Sequence, residues 1–344
     1  TGVSADDIRR AAQLYAAGPS LLWCGQGLQR QPTGGNVMRA VGLLPALTGN
    51  MGKPGAGFYY LNYTPAFAGM DLAGLAGARV KARPDDFGAP LTIGHMELAA
   101  RLKEFPVFMV WNTNPVASAA DQNALRAALE REDLFTVVID CFQTDSARYA
   151  DIVLPAASFL EFDDLTYSYF HLLIGAQSKA REPVGEALPN QEIFRRLSEA
   201  MGLAEPALFE KDADLIDQLL REAGGDRSFA ELQSLGSAYI SEEPLQLWEA
   251  LEFETPSGRI EIESAQAESM GLPLTPKPWV DAPVSKGRLR LITPASNWRL
   301  NDSYGNDPHL QEQAGPASVT LHPEDAARLE IVAGARVVLK NEAG

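Results

Sequence analysis

The chain has 344 residues, a formal net charge of −16 and a sequence pI near 4.7, with 46% hydrophobic and 22% charged residues. That apolar content supports a sizeable core and, at this length, roughly two domains, while the acidic balance excludes a nucleic-acid grip by the overall field and leaves an anionic ligand to a local pocket of backbone donors. No run of about 18 apolar residues exists, so no membrane span is indicated, and two cysteines with no C-x-x-C pair and four scattered histidines give no protein-held zinc site.

In chain order, residues 1–18 (TGVSADDIRRAAQLYAAG) read as an amphipathic helix. Ser4 is its N-cap, Asp6 and Asp7 occupy the first turn, and Ile8, Ala11, Ala12 and Tyr15 recur at helical spacing to lay one face on a core. The segment is no signal peptide. It lacks an initiating Met, and residues 341–344 are turn-like, so both ends read as cut from something longer. Residues 20–57 organise the rest. A short apolar run, 21–24, leads into a Gly-x-Gly turn at Gly25 and Gly27. A polar loop to Gly35 and an apolar-periodic helix over 37–47 follow, with Pro45 distorting or shortening the helix near its end. Thr48-Gly49-Asn50 stops the helix before a second glycine-rich stretch. Strand, glycine loop and helix make half of a parallel α/β unit, whose ligands sit at the carboxyl ends of the strands. Glycines there let backbone N–H groups approach a phosphate, and a following helix terminus adds positive potential.

Residues 52–94, rich in Gly, Pro and aromatics, form a long irregular excursion, expected to be mobile somewhere within 58–94. A helix over 95–103, strand 107–111, loop Asn112-Thr113-Asn114-Pro115 and helix 120–131 follow. Strand 135–139 ends at Asp140, a short helix spans 144–149, and strand 151–154 closes the unit. The repeated β-loop-α pattern predicts one parallel sheet, including strand 21–24, with helices on both faces. Cys24 and Cys141 end strand-like runs and read as buried thiols of a reducing compartment.

Beyond residue 156 the texture changes. Helices are predicted over 191–201 and 213–223, a hairpin over 253–262 with Pro256-Ser257-Gly258 as its turn, and a proline-rich linker over 273–283. A strand follows at 288–293, then a short helix opened by His322-Pro323, and a strand at 336–340.

These pieces resemble the large subunit of molybdopterin oxidoreductases, the dimethyl-sulfoxide-reductase and formate-dehydrogenase family. The matching stretches, in the family's order, are TGVSADDIRRAAQLYA, GQGLQRQPTGG, ALTGNMGKPGAG, WNTNPVASAADQ, DCFQTDSARYADIVLPAASFLE, EPVGEALPNQEIFRRLSEAMG, TPSGRIEI, LITPASNWRLNDSYGN and LHPEDAARLEIVAGARVVLKNEAG. The resemblance implies an α/β domain over 1–157 (the family's third), a mostly helical connector over 158–285 returning to the second, and the start of a double-psi β-barrel over 286–344. It implies a molybdopterin guanine dinucleotide cofactor, in the bis form with molybdenum or tungsten in the intact parent. The metal-ligand domain, and with it any iron–sulfur cluster, would belong to a missing N-terminal part of the same polypeptide, so the fragment alone is expected to be inactive and to hold no metal. An electron-transfer subunit is an expected partner and the cytoplasm the expected location. The alternatives are a non-catalytic structural or electron-relay subunit of the same fold, and an ordinary mononucleotide-binding α/β enzyme; the absence of Gly-x-Gly-x-x-Gly speaks against the second.

Cofactor-binding residues carried over from the resemblance are Gly25, Gly27, Thr48, Gly49, Asn50, Asn112, Asn114, Asp140, Thr293, Ser296, Asn297 and Asn301; no catalytic residue and no metal ligand is assigned. Those of the α/β domain have plainer readings. Gly49-Asn50 suits a helix C-cap, the glycine loop a tight turn, and Asn112 and Asn114 Asx-turns. Asp140, at a strand end, can accept from the N1–H and N2–H₂ of guanine, or cap a turn. The family usually carries Gly-Glu-Asn-Pro or similar where this chain has Trp111-Asn112-Thr113, which leaves the acidic contact open. Thr144 is read as a cap, and Asp151 and Pro155 as structural.

Overall fold

The structure, a computed structural model, describes residues 2–61, 70, 93–223, 227–240, 245–278 and 283–341. Most of the 58–94 excursion therefore lies outside the described residues. The chain divides into two compact units. One comprises Thr1–Leu72, Leu165–Ala176 and Asp217–Arg290; the other comprises Ala73–Asp164, Gln177–Ile216 and Leu291–Gly344.

In the first unit, α1 (Ala5–Ala16) is capped as expected: the Ser4 hydroxyl accepts from the Asp7 amide at 3.1 Å. Its apolar stripe, however, rests on no core. None of its residues is buried, and Ile8 and Leu14 face solvent. The helix is held by its end instead, where Ser20 Oγ donates to the Tyr15 carbonyl at 2.8 Å. Strand β1 (Leu21–Trp23) pairs in parallel with β2 (Gly57–Tyr59), from Leu21↔Gly57 to Trp23↔Tyr59. Between them runs α2 (Gly34–Leu47), with Pro45 buried in its last turn. Farther along, Leu173–Gln177 pairs antiparallel with Ser237–Tyr239. The expected hairpin over 253–262 is a turn only. Gly258 N donates to the Thr255 carbonyl and Phe253 N to the Gly258 carbonyl, with no strand assigned on either side.

The second unit holds a parallel sheet in the order β3 (Val107–Trp111), β4 (Phe135–Asp140), β5 (Ile152–Pro155). The central strand reads FTVVID, and its residues 136–139 are all buried, as a strand covered on both faces requires. Alternation along it sorts the faces. Val137 and Ile139 pack with Ala156 and with Ile193, Phe194 and Leu197 of α5 (Asn190–Ala200). Val138 packs with Val110 and Ala147 on the opposite side. A further cluster joins Leu102, Val116 of α3 (Pro115–Ser118), Ala119, Leu125 and Leu129 of α4 (Gln122–Leu129), and Leu134. Helical elements thus lie on both faces, as the β-loop-α repeat predicted.

Two expectations fail on pairing. Strand 21–24 was placed in this sheet; β1 takes its hydrogen bonds from β2 in a separate two-stranded sheet. Segments 288–293 and 336–340 were read as strands; no strand is assigned to either, and no described strand pairs with them, so Leu291, Ile292 and Val338 are left exposed. A strand is completed by its neighbour's hydrogen bonds, which alternation along one segment cannot supply. The short helix Pro323–Arg328 forms as read, with His322 Nδ1 accepting from the Glu324 amide.

Candidate functional site

The glycine turn after β1 is built without strain. Gly25 has φ −89°, and neither Gly25 nor Gly27 has a positive φ. A Cβ added to either would meet nothing within 4 Å. Neither local backbone nor packing therefore demands glycine there. Gly34, at the start of α2, contrasts with them, since its Cβ would overlap the Gln29 carbonyl. The open positions leave the amides of residues 25–27 approachable by a ligand.

Thr48, Gly49 and Asn50 close α2 in a Schellman arrangement. Gly49 adopts φ +66°, Gly49 N donates to the Ala46 carbonyl, and Asn50 N donates to the Pro45 carbonyl at 2.7 Å. The Asn50 side chain is buried and engaged at both ends: Oδ1 accepts from the Ser20 amide at 3.0 Å, and Nδ2 donates to Thr48 Oγ1 at 2.8 Å. Asn50 thus ties the end of α2 to the residue that enters β1, behind the glycine turn. Replacing it by Ala strands the Ser20 N–H, and a stability loss of about 1–3 kcal/mol is expected. Chemical denaturation of the two chains, with no cofactor added, measures it; an unchanged midpoint would show that water replaces the carboxamide.

In the second unit, Asn112 and Asp140 share the carboxyl edge of the sheet. Trp111 pairs with Ile139 and Asp140 with Pro155, and Asn112 N extends the ladder by donating to the Ile139 carbonyl at 3.1 Å. Asn112 sits at φ +52°, a left-handed position that Asn tolerates better than most residues. Asn114 makes no Asx-turn on its own backbone. Its Oδ1 accepts from Ser146 N (3.1 Å) and Ser146 Oγ (2.8 Å), stapling the loop after β3 to the loop after β4. Ser146 Oγ in turn accepts from the Val116 amide at 3.1 Å.

Asp140 is half-buried at the end of β4, with Oδ1 accepting from the Phe142 amide at 3.0 Å. Burial raises its pKa above that of an ordinary aspartate. Amide bonds from Phe142 and Cys141 oppose that shift, and the negative charge of Asp302 adds to it. A carboxylate offers about four lone-pair positions, so the turn does not exhaust it. Thr144 Oγ1 caps the following turn by accepting from Ala147 N, and Asp151 Oδ2 accepts from Thr136 N at 2.7 Å; both are structural, as read. Cys141, expected to be buried, is exposed at this edge, while Cys24 is buried.

Of the C-terminal candidates, Thr293, Ser296, Asn297 and Asn301 are all exposed. Ser296 Oγ accepts from Trp298 N, and Asn301 takes φ +56°. Asp302, next to Asn301, is what reaches Asp140 electrostatically. Sequence reasoning missed Asp302 and Ser146. Both lay inside stretches already singled out, Asp302 in LITPASNWRLNDSYGN beside the candidate Asn301 and Ser146 in DCFQTDSARYAD.

Two family models match the chain: molybdopterin oxidoreductase over residues 10–200 and the molybdopterin dinucleotide binding domain over residues 289–344. A probable oxidoreductase, YoaE, of Bacillus subtilis is 34% identical over 361 residues, spanning 100% of this chain and 51% of the relative. The dimethyl sulfoxide/trimethylamine N-oxide reductase of Rhodobacter capsulatus is 26% identical, spanning 100% of this chain and 48% of the relative. Among solved structures, acetylene hydratase from Pelobacter acetylenicus superposes with a TM-score of 0.69 at 23% identity, covering 97% of this chain and 52% of that one, a likeness of fold. The chain spans about half the length of the curated relatives it matches. With more than half of its residues inside the first family model, the chain belongs to the molybdopterin oxidoreductase family.

Proposed function

We propose that this chain holds and orients a molybdopterin guanine dinucleotide within a molybdenum- or tungsten-dependent oxidoreductase. In this reading, residues 1–157 are the cofactor-binding α/β domain, 158–285 the connector and 286–344 the first half of the dinucleotide-binding barrel. The remaining partners are the rest of the polypeptide and an electron-transfer subunit. Two unpaired cysteines suit the reducing cytoplasm. When bound, the cofactor supplies the redox chemistry. Each unit contributes candidate contacts of its own: in the first, the amides of the Gly25–Gly27 turn suit phosphate oxygens; in the second, Asp140 suits the guanine donors. Residues 1–344 alone should turn over no substrate.

The observation that carries the reading is the pair Gly25 and Gly27, glycines that neither backbone conformation nor protein packing requires. Close approach of a ligand explains them. Gly27→Ala adds a methyl group where the protein has room, so thermal stability should be unchanged while dinucleotide affinity of the full-length apoprotein falls several-fold. Calorimetric titration measures the affinity, and equal affinity in both proteins would remove the glycine turn from the site. No binding to either protein would favour the non-catalytic relative.

A further inference from the structure

Within the first unit lies a cavity of about 640 Å³, walled by the end of α2 (Leu43, Ala46, Leu47), by the segment that follows (Gly49, Met51, Lys53) and by the 251–262 turn. The turn contributes Leu251, Phe253, Ile260 and Ile262, together with Arg259. Its size falls within the range of about 300–1,000 Å³ common to small-molecule sites, which combine an apolar lining with a few placed polar groups.

The walls are held in place. Gln246 Nε2 donates to the Gly52 carbonyl at 2.6 Å. Gly52 itself lies so close to the Trp248 carbonyl that a Cβ would overlap it, and its φ is +66°. Trp248 and Phe253 stack at 6.0 Å, with 26° between their planes. Arg39 reaches from α2 to the Pro273 and Leu274 carbonyls at 2.6 and 2.7 Å. The backbone of Arg259 is pinned on both sides: Thr255 Oγ1 donates to its carbonyl at 2.6 Å, and its amide donates to Ser257 Oγ at 3.3 Å.

Neither Lys53 nor Arg259 forms an ion pair among the described residues. The nearby Glu261 carboxylate is turned to the Ser257 amide at 3.0 Å. Two cations with no ion pair among the described residues, on an apolar lining and in a chain of net charge −16, define the ligand by complementarity.

We propose that this cavity binds an amphipathic anion, a carboxylate carried on an aliphatic body, with the tail against Leu43, Leu47, Leu251 and Ile262 and the head between Lys53 and Arg259. The proposal does not rest on the dinucleotide reading, with which it shares only Gly49. The test is calorimetric titration of the 344-residue chain with laurate below its micellar concentration, against dodecyltrimethylammonium, which has the same tail and the opposite charge.

One saturable site for laurate is expected, with weaker binding of the cation. Lys53→Gln with Arg259→Gln should lower laurate affinity by about fivefold, the scale of two partly exposed ion pairs. Ala46→Phe, which fills the cavity from α2, should abolish the site, and thermal unfolding confirms that each variant folds. Equal binding of the two amphiphiles, unchanged laurate affinity in either variant, or the absence of a saturable site would overturn the proposal. So would displacement of laurate by guanosine diphosphate, which would assign the cavity to the nucleotide site.

Discussion

Asp140→Asn should weaken binding of the guanine dinucleotide to the full-length apoprotein at least tenfold, about 1.4 kcal/mol. The carboxylate stands at the carboxyl edge of the sheet, and its turn bonds leave acceptor positions available. Guanine presents two donors, N1–H and N2–H₂, and charge-assisted bonds to a carboxylate are among the stronger hydrogen bonds. The asparagine replaces one acceptor oxygen by an NH₂ donor, which would face a donor. Adenine analogues should bind poorly to the wild type and be affected little by the substitution. Titration of guanine and adenine forms into both proteins checks this. Equal guanine affinity would leave Asp140 as a turn residue only and move the weight to Asn112 and its loop.

The same carboxyl sets a pH dependence. Its pKa is raised, first by burial and also by Asp302, so on acidification it takes up its proton before an ordinary aspartate does. A protonated acid loses acceptor capacity, and on acidification guanine affinity should begin to fall at a higher pH than an ordinary aspartate would set, and recover as pH rises. Folding runs the other way. The folded pKa lies above the unfolded one, so the contribution of Asp140 to stability is complete below the unfolded pKa and is lost as pH rises through the folded value. In Asp140→Asn the pH step in affinity should vanish.

Leu125→Ala should cost about 2–5 kcal/mol of stability, the range for emptying a fully packed leucine site. Leu125 is 0% exposed, inside the cluster with Leu102, Val116, Ala119, Leu129 and Leu134. The cluster includes Val116, whose amide is held by Ser146, so a looser core should reach the loop that Asn114 staples. Denaturant titration followed by far-UV circular dichroism gives the number. A loss under about 1 kcal/mol would mean that the site collapses onto the missing methyls.

The chain's local features were legible without its fold. The Ser4 cap, the Thr144 cap, the turn at Thr48-Gly49-Asn50 and strands 107–111, 135–139 and 151–154 all formed close to where they were read. Capping, left-handed glycine turns and apolar runs depend on groups a few residues apart, so a short window contains their causes. The family was legible for a related reason: many short motifs in one order constrain the chain jointly, though each alone is weak.

Only the tertiary structure decided which segments meet. It paired β1 with residues 57–59 and not with the sheet of β3 to β5. It left the apolar stripe of α1 in solvent and the 288–293 and 336–340 runs without strand partners among the described residues. Asn114 proved to hold Ser146 from across the sheet edge, and Asp302 to act on Asp140. Burial and pairing arise between surfaces far apart in the chain, and residue type specifies the capacity for a contact without naming the partner.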